Sequence, residues 1–136
     1  HSSFKQPREE MTARICRALE NPHVPVLVHP TGRLINARDP YEVDVERVLQ
    51  AAKAHGKAVE INASPNRLDL RDVHARRARD LGLFLSIDTD THHLRELDNI
   101  HLGVATARRA GSGQRGAAAH VASCRSKRSR RIRWST

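Results

Sequence analysis

At 136 residues the chain has room for one domain, and a hydrophobic content of 38% with only four aromatic residues requires a thin core of Val, Leu, Ile and Ala. The formal charge of +9 is divided unevenly: residues 1–109 hold 17 Lys/Arg against 15 Asp/Glu, whereas residues 110–136 hold seven basic residues and no acid, so the globular part is nearly neutral. Cys16 and Cys124 have no CxxC or CxxH partner, which excludes a disulfide framework or thiolate zinc site and fits a reducing cytoplasm, and no apolar run approaches the ~20 residues needed to cross a membrane.

In chain order, Pro7 is placed as the first residue of a helix reaching about Asn21, with Met11, Ile15, Ala18 and Leu19 on one face. Val24 to Val28 is short, β-branched and apolar, as a strand buried on both sides should be, and it delivers His29 into Pro30-Thr-Gly-Arg33. Asp39 and Pro40 with Glu42 read as a capping box that starts a second helix, in which Val45, Val48, Leu49 and Ala52 follow at helical spacing before Gly56 ends it. Ala58 to Asn62 is the second strand. Asp69 is expected to cap a third helix running through Leu70, Val73, Ala78 and Leu81 to Gly82, and Leu83 to Asp88 is the third strand. Strands alternating with helices of about a dozen residues predict crossover connections and a parallel sheet, with His29 and Asp90 at its C-terminal edge. From residue 110 onward, Gly, Ser, Ala and Arg replace any apolar periodicity. This basic tail is expected to be disordered, either a frameshifted GC-rich reading or a DNA-binding arm.

The residues with the strongest claim to chemistry lie at strand ends. In an extended strand, Asp90 and His92 would emerge on one face, and His29 would meet them at the same edge, with His1 as a fourth donor. Imidazole and carboxylate together suit zinc, manganese or iron. Arg33, following a glycine, is the first candidate to grip a phosphate, or else to pair with Asp39 or Glu42. Glu60 and Asp88 are read either as supports of the site or as structural hydrogen-bonding groups. Arg67 is read as a turn residue that could line the cleft.

His1-Ser-Ser-Phe4, His29-Pro-Thr-Gly-Arg33, Glu60-Ile-Asn-Ala63, Arg67-Leu-Asp-Leu70, Asp72-Val-His-Ala75, Asp88-Thr-Asp-Thr-His92 and Leu97-Asp-Asn99 together resemble the polymerase and histidinol phosphatase (PHP) domain, in the form carried by bacterial family X DNA polymerases. The resemblance spans about residues 1–110. It implies an α/β fold that is the C-terminal portion of a distorted (β/α)7 barrel, binding up to three divalent ions such as manganese or zinc. It also implies metal-dependent 3′–5′ exonuclease or phosphatase chemistry on DNA ends. Position by position, His1, His29, Asp90 and His92 match metal ligands, Asp90 and His92 being the catalytic Asp-x-His pair with Thr91 where Ala is usual. The family's early His-x-His pair, a further acid, another histidine and a mid-barrel glutamate have no match in this sequence. They are expected in a preceding segment of the same polypeptide, because the chain opens on His1 rather than Met. A small-molecule phosphatase of the histidinol phosphatase type and a non-catalytic DNA-positioning module are the rival expectations.

Overall fold

The computed structural model describes residues 3–111 and 120–121. In chain order the elements are α1 (Arg8–Glu20), β1 (Val26–Leu27), α2 (Val45–Ala54), β2 (Ala58–Asn62), α3 (Asp72–Asp80), β3 (Leu85–Asp88), a 3-10 segment (Leu94–Asn99), α4 (Ile100–Arg109) and β4 (His120–Val121). The four strands are hydrogen-bonded in the order β1-β2-β3-β4, and every neighbouring pair is parallel. A parallel pair cannot be closed by a hairpin, so α2 and α3 are the crossovers the alternation predicted, while α4 and β4 were not foreseen. The expected disordered tail lies outside the described residues, apart from the buried Ala110 that caps α4, Gly111, and β4.

The pleat of β2 separates chemistry from core. Val59, Ile61 and Ala63 alternate with Glu60 and Asn62, and all five are buried. The in-register pairs Glu60 with Ser86 and Asn62 with Asp88 extend the polar row onto β3. On the apolar side α4 comes so close that a Cβ added at Gly103 would lie 2.5 Å from Ile87 Cγ2 and 2.9 Å from Ala63 Cβ. The core continues through Leu19, Leu49, Ala52, Leu70, Ala75 and Ala78, as aliphatic as the composition requires. No described helix is long and apolar enough to cross a membrane.

Several boundaries depart from the sequence expectation for reasons visible in the hydrogen bonds. Pro7 takes the cap position of α1 instead of its first turn. The second helix starts at Val45, because Asp44 rather than Asp39 accepts the Arg47 amide. Asp44 is fixed there by its own N–H, which donates to Thr12 Oγ1 at 2.9 Å and so ties α1 to the start of α2. Asp69 does not cap α3. Its carboxylate is occupied elsewhere, and the helix begins at Asp72 with no side-chain cap. Gly56 and Gly82, at φ +63° and +76°, do end α2 and α3 in the left-handed turn their positions announced.

Candidate metal centre

The site is built at the C-terminal ends of β1, β2 and β3, where parallel strands release their loops side by side. The chain leaves β1 through His29, whose φ of +48° turns it sharply, and the Gly32 amide closes the turn onto the His29 carbonyl at 3.1 Å. Tyr41 Oη donates to the Pro30 carbonyl at 2.7 Å, and its ring fills the space a side chain at Gly32 would need. Burial pushes the Tyr41 phenol up to about 12, so it remains a donor at any ordinary pH.

Beneath His29 lies the polar row. Glu60 Oε2 accepts the His29 amide at 2.5 Å and sits 3.6 Å from His29 Nδ1. Asn62 Oδ1 accepts the Ser64 amide, an orientation that turns Nδ2 toward His29 Nδ1 at 3.3 Å. Burial, reinforced by a hydrogen bond with Asp88, pushes the Glu60 carboxyl up to about 9. Near neutral pH it is therefore protonated. Burial also lowers the His29 imidazole below its ordinary value, with the nearby Arg67 cation adding to the effect, which favours the neutral ring.

His29 Nε2 lies 3.7 Å from Asp90 Oδ2, bringing together two residues 61 positions apart as the strand-end argument expected. Two donors bound to one ion at 2.0–2.2 Å are separated by roughly 3–3.5 Å, so this spacing is slightly wide of a bound pair while the imidazole-carboxylate chemistry is that of half a divalent site. Asp90 and His92 do not share a strand face. β3 ends at Asp88, and Asp90 takes φ +51°, a left-handed conformation Asp tolerates, which breaks the alternation. Instead His92 Nδ1 lies 2.8 Å from the Asp90 carbonyl. A carbonyl only accepts, so in the neutral ring Nδ1 carries the proton and Nε2 the lone pair, the tautomer a metal-bound histidine needs. Among the described residues no group of three or more His, Cys, Asp or Glu side chains is arranged to hold an ion. His1, the fourth expected donor, lies outside them.

Arg33 is a correction. Its Nε donates to the Arg67 carbonyl at 2.7 Å and its Nη2 to the Leu68 carbonyl, so the fork grips backbone rather than facing the cleft, and it pairs with neither Asp39 nor Glu42. The loop it grips reciprocates: Asp69 accepts the Thr31 amide, the Thr31 hydroxyl and the Gly32 amide at 2.9, 2.9 and 3.0 Å. The guanidinium that reaches the site is that of Arg67, whose Nε donates to Asp90 Oδ2 at 3.1 Å. Arg67 and Asp69 are the residues the sequence reading undervalued. The only available signal was their place in the Arg67-Leu-Asp-Leu70 motif.

No family model matches the chain. Over 109 residues it is 44% identical to the DNA polymerase/3′-5′ exonuclease PolX of Bacillus subtilis, a match covering 80% of this chain and 19% of that protein. It is 31% identical over 101 residues to a protein named a probable phosphatase in Caldanaerobacter subterraneus, covering 68% of this chain and 37% of the relative. A similarly named protein of Aliivibrio fischeri is 27% identical over 117 residues, covering 76% and 45%. The chain thus spans about a fifth of the polymerase relative and under half of these two phosphatase relatives. The motifs that carry the site and the identity that runs through them agree: the chain is similar to part of a family X DNA polymerase and to proteins named probable phosphatases, consistent with a PHP-type domain.

Proposed function

We propose that this sequence serves metal-dependent hydrolysis of phosphate esters at DNA 3′ ends, as the C-terminal portion of a PHP barrel in a polymerase-type protein. The observation that carries the reading is the approach of His29 Nε2 to Asp90 Oδ2 across the ends of β1 and β3. The unbroken order β1-β2-β3-β4 supports the barrel, because neighbours in a barrel follow chain order whereas doubly wound sheets reverse direction at a switch point.

His29 and Asp90 would hold a manganese or zinc ion, with His92 and the N-terminal His1 as further ligands. A divalent ion so bound supplies a water acidic enough to attack phosphorus near neutral pH, together with positive charge for the phosphoryl oxygens. The remaining work falls to the chain itself. Glu60 holds the His29 backbone, Asn62 and Glu60 flank its Nδ1, and the Asp90 carbonyl orients His92. Groups placed by neighbours in this way need little reorganisation as charge develops on the substrate.

The phosphatase relatives favour a second reading in which the same site takes a small phosphomonoester. Incubating the chain, joined to the preceding segment that would carry the remaining ligands, with Mn2+ and either a 3′-labelled oligonucleotide or p-nitrophenyl phosphate separates the two. Release of nucleotides with little turnover of the small ester is the expected result. Turnover of the ester alone would replace DNA with a small-molecule substrate.

A further inference from the structure

The Asp90 carboxylate is already partly claimed by a cation of the protein itself. Arg67 Nε lies 3.1 Å from Oδ2, the same oxygen that faces His29 Nε2 at 3.7 Å. The Arg67 side chain is 16% exposed, and its Nη1 is buried without a hydrogen-bond partner. A buried donor left unsatisfied is costly, so this seat does not use the guanidinium fully. The backbone of Arg67 is meanwhile fixed: its carbonyl accepts Arg33 Nε, and Asp69 two residues on is tied to Thr31 and Gly32. The stem is anchored and the head is not saturated, a combination that favours two positions of one side chain over displacement of the loop.

Resting on the metal-centre reading above, we propose that Arg67 is the resident cation of the site, yielding Asp90 Oδ2 when a divalent ion enters and turning its fork to the phosphoryl oxygens of the substrate. Arg33 cannot take that role while its fork is bonded to the Arg67 and Leu68 carbonyls. The two halves of the proposal have opposite signs. A guanidinium next to a divalent ion repels it, so Arg67 weakens metal binding. The same charge and planar donors strengthen binding of a phosphate, which accepts two parallel N–H bonds from such a fork.

The test uses the full chain with Mn2+ alone and then inorganic phosphate on the Mn2+-loaded protein, each titrated by calorimetry, in wild type, Arg67→Gln and Arg67→Lys. Arg67→Gln is expected to bind Mn2+ about tenfold or more tighter and phosphate about 10–100-fold weaker. Arg67→Lys keeps the charge and loses the fork, so its Mn2+ affinity should stay near that of wild type while phosphate still weakens. A residue that merely supported the fold would lower both affinities in Arg67→Gln, and one that only oriented Asp90 would lower Mn2+ affinity. Either outcome overturns the proposal, as does unchanged phosphate binding in both variants. Failure of the wild type to bind Mn2+ would remove the metal centre itself and this inference with it.

Discussion

Asp90→Ala is expected to reduce manganese-dependent release of nucleotides from a DNA 3′ end by about a hundredfold or more. Substitutions that only disturb the partners of a metal ligand commonly cost 10–100-fold in metal affinity or activity, and Asp90 is read as a ligand itself. Its carboxylate is also the point where His29 and Arg67 meet, 3.7 and 3.1 Å from the same oxygen, so removing it dissolves the meeting as well as the donor. The fold should survive, because Asp90 lies beyond the end of β3 and its side chain is 28% exposed. Steady-state rates in Mn2+, with circular dichroism to verify folding, check both halves. Wild-type rates in Asp90→Ala would remove it from the mechanism.

Gly103→Ala should lower stability, although Ala is the better helix former by about 1 kcal/mol. The added methyl would stand 2.5 Å from Ile87 Cγ2 and 2.9 Å from Ala63 Cβ, with the Ala63 Cα 3.6 Å behind it. Ile87 is almost fully buried, and Ala63 has no rotamer to change. Relief must come from lifting α4 off the sheet, and overpacking of this kind costs about 1–3 kcal/mol, with Gly103→Val worse. The strain would reach the site, since Ala63 donates its amide to the Asp88 carbonyl at 2.7 Å directly below the Asp90 turn. Urea unfolding measures the effect. A more stable Gly103→Ala protein would show that α4 does not press on β2 and β3.

The sequence foretold what depends on local pattern. Ala58–Asn62 was legible to the residue because β-branched Val59 and Ile61 alternate with Glu60 and Asn62 at the two-residue period of a strand, and Gly56 and Gly82 announced the ends of their helices. The encounter of His29 and Asp90 was legible too, since strand ends of a parallel sheet converge whatever the loops do. What failed depended on partners far along the chain. Asp69 had every local mark of a helix cap, yet its carboxylate is bound to Thr31 and Gly32, 38 and 37 residues earlier. Arg33 looked free to bind phosphate because nothing in its neighbourhood revealed that the carbonyls of Arg67 and Leu68 would claim it. Asp39 was read as the cap of the second helix, whereas Asp44, five residues on and tied to Thr12 on another helix, takes that place. Asp90 and His92 were assigned to one face by assuming that the strand continued. The left-handed turn at Asp90 instead places the His92 ring on the Asp90 carbonyl.

The proposed metal centre requires His29 and Asp90 to share one divalent ion, and the imidazole proton resonances of the chain during a substoichiometric Mn2+ titration report on that directly. Paramagnetic broadening should strike His29 and His92 first and leave His23, His55 and His74 sharp, with the selectivity lost in Asp90→Ala. Broadening that reaches all these histidines together, or that spares His29, would contradict it.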